Sequence, residues 1–137
     1  SGLVGVASGV IGNITVNANA ADSYAYATAL SYDGGSMGTM TLNAIGASSY
    51  VSGAVNLSGG TIGNVVLNAK GANSSVDFSG GASYSGYIDS SGIDANYSDI
   101  TVNTTGAASS AYVQLGNDWT GNSGANDIGN ITFNITY

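Results

Sequence analysis

Ile11-Gly12-Asn13-Ile14-Thr15-Val16-Asn17 is the most informative part of the sequence, because the chain repeats it four more times in varied form. The copies occupy residues 11–17, 37–43, 62–68, 97–103 and 128–134. The Asn that ends each copy therefore recurs at intervals of about 25 to 35 residues, which is within the range of structural repeats. Strand-like content at this period predicts a solenoid, in which each repeat forms one coil and buries its apolar face against neighbouring coils.

Apolar and polar residues alternate in the repeated stretch, as expected for a strand with one buried face. Equivalent positions predict two core columns with an outward column between them, and the members of the first column are expected to be buried and stacked in register. The first core column is Ile14, Met40, Val65, Ile100 and Ile131. The second core column is Val16, Leu42, Leu67, Val102 and Phe133. The outward column is Thr15, Thr41, Val66, Thr101 and Thr132.

Two further stretches complete each repeat. A phrase containing Ala-x-Ser follows four of the copies, with small residues on one parity and larger polar or aromatic residues on the other. Those larger residues are Tyr24, Tyr26, Tyr50, Asp77 and Tyr112. A third stretch then runs into a pair of glycines, as at residues 30–35 and 55–60. Three short strands per coil of about 25 residues predict an all-β, three-sided β-solenoid with coils about 4.8 Å apart.

About five such coils account for residues 1–137 as a single solenoid domain. Two surplus segments, residues 80–95 and 117–125, are expected to loop out from the stack. The rival fold is a β-sandwich, because short strands separated by Gly and Ser also describe that class. The agreement of the columns across all copies favours the solenoid.

A glycine precedes the strand in four copies, at Gly12, Gly38, Gly63 and Gly129, and Ser98 takes this place in the remaining copy. We expect a corner there that needs either a positive φ or the close approach of another backbone. The absence of Pro fits a chain whose backbone N–H groups are nearly all used in strand pairing.

The composition argues against several functions. The 137 residues include no Cys, His, Arg or Glu, and Lys70 is the only cation beside eight Asp residues. A chain of net charge −7 has no cluster of Lys and Arg to bind nucleic acid. No apolar run approaches the roughly 20 residues that span a bilayer, so we expect no membrane insertion. Because most acid–base and nucleophilic mechanisms lack their usual residues, we expect neither an enzyme nor a resident cofactor.

The phrase Gly-Gly-x-Ile-Gly-Asn, at residues 59–64 and approximately at 8–13, resembles the repeats of secreted bacterial β-helical surface proteins. Autotransporter passengers and filamentous adhesins are the nearest group. The resemblance implies an extracellular β-helix at the cell surface that serves adhesion or surface structure. It supplies no catalytic residue.

Oxygen-bearing side chains recur at short intervals between residues 89 and 99, as they do in loops that bind hard cations. The candidate calcium ligands are Asp89, Asp94, Asn96 and Asp99. The sharp-turn Gly and the bidentate Glu of an EF-hand are both missing. Ordinary turn formation by Asp and Asn is therefore the competing explanation.

Asn-x-Ser/Thr sequences offer candidate glycosylation sites. They begin at Asn13, Asn56, Asn73, Asn96, Asn103, Asn130 and Asn134. Asn103 and Asn134 also belong to the repeating Asn column, where stacked amides can hydrogen-bond along the solenoid axis. The structural role explains these two residues better than glycosylation does.

The function expected first is that of a structural subunit in an extracellular filament or surface fibre. Neither predicted end coil carries an evident cap, and an uncapped solenoid exposes apolar surface and unpaired strand edges. Head-to-tail stacking of copies would satisfy both ends, whereas a fragment of a longer repeat array would also be uncapped. The expected interface residues are Leu3, Val4, Val6, Val10, Ile128, Ile131, Phe133, Ile135 and Tyr137.

A segment of an adhesin, or a solenoid that binds glycans or ice, is the alternative function. Exposed Tyr and Trp side chains can stack on sugars or become buried against a partner. A flat ladder of Thr residues suggests an ice-facing surface, although Val66 interrupts that ladder and each copy offers only one Thr.

Overall fold

The computed structural model describes residues 2–6, 9–31, 35–57, 60–80, 95–115 and 129–136. These residues form strands joined by short corners, and no helix occurs among them. The strands are β1 (Gly2–Val6), β2 (Gly9–Ile11), β3 (Ile14–Ala18), β4 (Tyr24–Ser31), β5 (Gly35–Met37), β6 (Met40–Ala44), β7 (Tyr50–Leu57), β8 (Gly60–Ile62), β9 (Val65–Ala69), β10 (Ser75–Gly80), β11 (Ala95–Tyr97), β12 (Ile100–Thr104), β13 (Ser110–Leu115) and β14 (Ile131–Ile135).

The strands form three sheets in which every described pairing is parallel. Sheet A has the order β1-β4-β7-β10-β13, sheet B has β2-β5-β8-β11, and sheet C has β3-β6-β9-β12-β14. From β1 to β13 the chain therefore visits the three sheets in turn. This cyclic order is compatible with a parallel β-solenoid, and the parallel pairing argues against a β-sandwich, whose sheets are antiparallel.

The predicted core columns are in register. Ile14 pairs with Met40, Met40 with Val65, Val65 with Ile100, and Ile100 with Ile131. Met40, Val65 and Ile100 are completely buried, as predicted. Ile131 is 47% exposed, so the prediction of burial is wrong there. The reason is positional, because Ile131 lies in the last strand of sheet C and, among the described strands, has a neighbour on one side only.

The repeated stretch does not form a single strand, and the third stretch does not form a strand of its own. Residue 11 belongs to β2 in sheet B, residues 14–17 belong to β3 in sheet C, and Gly12 and Asn13 form the corner between them. The third stretch instead continues the long strands β4 and β7 of sheet A. The third strand lies in sheet B: it ends on the first residue of the next copy, and in β5 and β8 it begins at the second glycine of the pair. Ile11, Met37 and Ile62 are buried there.

The corner from sheet C to sheet A holds a left-handed residue that is not glycine. The middle residue of each Ala-x-Ser has φ near +54°, and these residues are Asp22, Ser48, Asn73 and Ala108. The glycines before β3, β6, β9 and β14 have no positive φ. Of the two reasons predicted for these glycines, a positive φ is therefore wrong.

Close approach explains most of these glycines instead. A Cβ on Gly63 would lie 2.9 Å from the backbone of Gly38, and a Cβ on Gly129 would lie 1.8 Å from the carbonyl oxygen of Ser98. The same crowding occurs at Gly46, where a Cβ would lie 2.0 Å from the carbonyl oxygen of Ala20. These residues lack a side chain because the backbone of the preceding coil occupies that space.

The core between the sheets is thin. Val51, Val55 and Phe78 of sheet A are buried against the inward residues of sheet C. A Cβ on Gly53 would lie 2.8 Å from a methyl group of Leu42. Sheet A therefore lies close to sheet C at this level of the stack, which explains why position 53 is a glycine.

The two predicted loops, residues 80–95 and 117–125, lie almost entirely outside the described residues, which include only their boundary residues Gly80 and Ala95. In the part of the chain that the structure describes, no helix is long and apolar enough to cross a membrane.

Candidate functional site

A ladder of asparagine side chains runs along the outer face of sheet C. Asn43, Asn68, Asn103 and Asn134 each donate a hydrogen bond from Nδ2 to Oδ1 of the asparagine one coil earlier, over 2.7 to 2.8 Å. The earliest acceptor is Asn17. The predicted stacking of amides is therefore confirmed, and all four bonds point in the same direction.

The ladder has two different ends because its bonds are unidirectional. Nδ2 of Asn17 is the free donor at one end, and Oδ1 of Asn134 is the free acceptor at the other end, since neither atom takes part in a hydrogen bond among the described residues. Both residues are exposed. An amide supplies both a donor and an acceptor, so two such ends are chemically complementary.

Exposed apolar side chains accompany the acceptor end of the ladder. Ile131, Phe133 and Ile135 alternate along β14 on the parity that faces the core in earlier strands. They are 47%, 60% and 56% exposed. At the opposite edge of sheet C, Ile14 and Val16 of β3 are only partly buried. Both edges of this sheet therefore present apolar surface to solvent.

The predicted interface residues lie in different edge strands, and some lie outside the described residues. Leu3, Val4 and Val6 lie in β1, the edge strand of sheet A. Val10 lies in β2, the edge strand of sheet B, and its side chain is 79% exposed. Ile128 and Tyr137 lie outside the described residues. The described members thus occupy edge strands at the two ends of the stack, and their role as an interface stays a prediction.

The outer face of sheet A carries the predicted aromatic residues. Tyr24 and Tyr50 lie in neighbouring strands with ring centroids 5.1 Å apart and an interplanar angle of 16°. The Tyr50 hydroxyl donates to Oδ2 of Asp77 over 2.6 Å. Burial of the phenol and the hydrogen bond to Asp77 raise the pKa of Tyr50 above its ordinary value near 10. Tyr24 and Tyr112 remain 66% and 58% exposed.

The hydrogen bond between Tyr50 and Asp77 was not predictable from the sequence pattern. Tyr50 is in register with Ser75, and Asp77 is in register with Ser52, so the contact is diagonal between two columns. A diagonal pair is within reach of a long aromatic side chain. Column alignment by itself gives no signal for such a pair.

The calcium candidates are not brought together by the described structure. Asp89 and Asp94 lie outside the described residues, and only the backbone of Asn96 is described, in β11. Oδ1 of Asp99 accepts hydrogen bonds from the backbone N–H and the side-chain amide of Asn130. Among the described residues, no three acidic side chains are grouped as metal ligands would be. Asp99 has a structural role at a corner, and calcium binding stays a prediction.

The candidate glycosylation sites occupy different environments. Asn103 and Asn134 are members of the ladder. Asn13 accepts a hydrogen bond from the backbone N–H of Thr39, and Asn130 contacts Asp99. Asn73 has the left-handed corner conformation and is exposed. The side chains of Asn56 and Asn96 are not described, and glycosylation stays a prediction for all seven.

The outward Thr column of sheet C lies beside the ladder. Thr15, Thr41, Val66, Thr101 and Thr132 are in register. Each strand contributes one member, and Val66 stands at the centre. The column is therefore a single interrupted row, which is less than a paired hydroxyl array would offer to ice.

The chain matches no protein family, and no curated protein or solved structure is significantly similar to it. The resemblance to bacterial β-helical surface proteins accordingly stays a prediction.

Proposed function

We propose that the chain is a structural subunit of an extracellular filament or surface fibre, whose copies add head to tail by stacking their end coils. The polarity of the asparagine ladder carries this proposal. A second copy stacked on β14 would place its Asn17 Nδ2 beside the Asn134 Oδ1 of the first copy. That bond would repeat the four already made within one chain. Translation along the stack gives this match, and such a heterologous contact does not close, so it builds a filament.

The edges of sheet C support the same direction of assembly. β3 and β14 are the two edge strands of this sheet. Stacking pairs β14 of one copy with β3 of the next in a parallel arrangement, which extends the sheet between copies. Backbone groups at both edges then gain hydrogen-bond partners, which removes the hazard that open strand edges present.

The exposed apolar residues add a driving force. Ile131, Phe133 and Ile135 would be covered by the inward residues Ile14 and Val16 of the next copy. Burial of apolar surface stabilises a contact by roughly 25 cal/mol per Å². The contact therefore combines apolar burial with polar groups that fix its register.

The subunit in this proposal has about five coils of about 25 residues, and residues 80–95 and 117–125 leave the stack as loops. In this proposal three of the described strands belong to each of the first four coils, and β13 and β14 belong to a fifth. Only 7% of the residues are charged. Few Lys residues leave the edges without their usual protection against pairing, which suits a secreted subunit that assembles.

The variant Asn17→Asp tests the proposal with little change to the subunit itself. A carboxylate at position 17 still accepts the hydrogen bond from Asn43, but it can no longer donate to Asn134 of another copy. We expect purified wild-type chain to form fibres visible by electron microscopy. Asn17→Asp should stay monomeric at the same concentration and keep its circular dichroism spectrum.

Asn73→Asp is the matched control, because Asn73 is exposed at a corner outside the ladder and away from both edge strands of sheet C, and the change adds the same charge there. This variant should form fibres as the wild-type chain does. A wild-type chain that remains monomeric at high concentration would overturn the filament proposal.

Binding of a glycan by the outer face of sheet A is the second candidate function. The stacked rings of Tyr24 and Tyr50 are the candidate sugar-binding surface. Tyr50 is hydrogen-bonded to Asp77, whose carboxylate can also accept hydrogen bonds from sugar hydroxyls. Affinity electrophoresis in gels containing a polysaccharide tests this function. Tyr24→Ala should lose any retardation that the wild-type chain shows, and Ile45→Ala, at an exposed position that follows β6 of sheet C, should keep it. Equal retardation of both variants would exclude this face.

A further inference from the structure

The corner between sheets B and C is closely packed from coil to coil. A Cβ on Gly38 would lie 2.4 Å from Oδ1 of Asn13, and a Cβ on Gly63 would lie 2.9 Å from the carbonyl of Gly38. At Gly129 the carbonyl oxygen of Ser98 would be only 1.8 Å away. In each case the crowding atoms belong to the same corner of the preceding coil, so a side chain there would push the coils apart.

Gly12 occupies the same corner of the first coil, yet nothing around it requires a glycine. Among the described residues, no atom outside Ile11, Gly12 and Asn13 lies within 4 Å of the position that its Cβ would take. Its φ also lies outside the left-handed region, so its backbone conformation does not require glycine either. Neither of the reasons that explain the other corner glycines applies within the described structure.

At the corner between sheets C and A, the first coil differs from the later coils in its residue type. Gly46, Gly71 and Gly106 would each bring a Cβ to between 2.0 and 2.2 Å from a carbonyl oxygen of the preceding coil. The equivalent residue in the first coil is Ala20, which already carries a Cβ. The first coil thus has a glycine at the corner between sheets B and C, but an alanine at the corner between sheets C and A.

From this contrast we infer that Gly12 is the point at which the backbone of a second copy is received, at its residues Gly129 and Asn130. The inference rests on the proposed head-to-tail assembly and specifies its geometry. Gly129 and Asn130 precede β14 as Gly12 and Asn13 precede β3, so pairing of these two strands brings the corners together. The backbones of the two copies approach closely at this corner. At the corner between sheets C and A, the Cβ of Ala20 keeps the two backbones further apart.

The inference is tested by comparing the variants Gly12→Ala and Gly12→Val with the wild-type full chain. Open space around Gly12 means that each subunit should unfold at the wild-type temperature or slightly above it. Assembly, followed by sedimentation velocity over a concentration series, should require at least about tenfold more protein for Gly12→Ala. Gly12→Val should assemble less still. Ala20→Gly should assemble at lower concentration than the wild-type chain.

Gly63→Ala is the matched control inside the stack, and it should lower the unfolding temperature because its Cβ meets the backbone of Gly38. If both Gly12 variants assemble as readily as the wild-type chain, the assigned contact is wrong although the filament proposal stands. If Gly12→Ala itself unfolds at a clearly lower temperature, Gly12 serves its own subunit and the inference also fails. If the wild-type chain does not assemble, the filament proposal fails and this inference fails with it.

Discussion

Asn43 donates a hydrogen bond from Nδ2 to Oδ1 of Asn17 over 2.7 Å, although 26 residues separate the two along the chain. The two residues lie directly opposite each other in the parallel strands β6 and β3. Asparagine suits this place because its amide can accept from one neighbour and donate to the next. The repeat interval of the sequence is thereby converted into a continuous polar ladder.

Asn68→Asp should destabilise the subunit, in contrast to the same change at Asn17. Asn68 accepts from Asn103 and donates to Asn43. A carboxylate keeps the first bond and loses the second, so we expect a loss of about 1 kcal/mol in the free energy of unfolding. Urea denaturation checks this value. Equal stabilities of the two variants would show that the ladder adds nothing to folding.

Gly46→Ala should be strongly destabilising. The added Cβ would lie 2.0 Å from the carbonyl oxygen of Ala20, and relief of that overlap requires the backbone to shift. Overpacking of this kind costs about 1–3 kcal/mol, which thermal unfolding can measure. The Gly12→Ala subunit is the control, since its added Cβ contacts no described residue beyond its chain neighbours. A Gly46→Ala subunit as stable as that control would contradict the coil spacing described here.

The serines of the corner between sheets C and A should respond in opposite ways to removal of their hydroxyl groups. The buried hydroxyls of Ser49, Ser74 and Ser109 have no hydrogen-bond partner in the described structure, whereas the Ser23 hydroxyl donates to the carbonyl oxygen of Ala20 over 2.6 Å.

Ser74→Ala should therefore leave the free energy of unfolding unchanged or raise it, because it removes an unsatisfied polar group. Ser23→Ala should lower it by about 0.5–1.5 kcal/mol, because it removes a hydrogen bond. Chemical denaturation of the two variants checks this order. The reverse order would show that Ser74 is satisfied in solution.

Tyr50→Phe should reduce the sensitivity of the subunit to alkaline pH. The pKa of folded Tyr50 is raised, first by burial and then by the hydrogen bond to Asp77. The folded state therefore holds this proton more tightly than the unfolded chain does. The resulting stability is fully present below about pH 10 and is lost as the pH rises through the pKa of the folded state.

Unfolding followed by circular dichroism between pH 8 and 12, a range chosen to span the ordinary tyrosine pKa of about 10, checks this prediction. Tyr50→Phe should be less stable than the wild-type chain at pH 8, and the difference should shrink as the pH rises. Tyr112→Phe, at an exposed position of the same sheet, is the control. A difference that stays constant over the whole range would contradict the account of Tyr50.

Much of the fold could be predicted because the repeat fixes its own register. Once Ile14, Met40, Val65 and Ile100 are aligned in sequence, parallel pairing places them directly above one another. The asparagine ladder follows from the same alignment. Each prediction needed only the period of the chain and the alternation of a strand.

Features that depend on local backbone geometry could not be predicted in this way. Ser48 and Ala108 have a positive φ, although neither residue type favours that conformation, so the residue types provide no reason to expect it. The strand boundary at Met37 was missed because the corner at Gly38 falls inside the repeated stretch. The exposure of Ile131 was missed because the alignment of the repeats indicates which residues pair with one another, but not which strand lies at the edge of the sheet.

A pair of introduced cysteines can show whether β14 of one copy pairs with β3 of the next. The chain has no Cys of its own. Thr15 and Thr132 occupy one column at opposite edges of sheet C, so within one chain they lie about 19 Å apart at about 4.8 Å per strand. That separation is too great for a disulfide, whereas directly paired residues can form one.

The measurement is oxidation of the double variant Thr15→Cys/Thr132→Cys, followed by a non-reducing gel. Head-to-tail pairing should give a ladder of linear oligomers that collapses to monomer on reduction. In the control Thr15→Cys/Thr101→Cys, the second cysteine lies one strand further inside sheet C, and this variant should give no such ladder. An oxidised Thr15→Cys/Thr132→Cys chain that runs only as monomer, or two variants that cross-link equally, would contradict the head-to-tail contact.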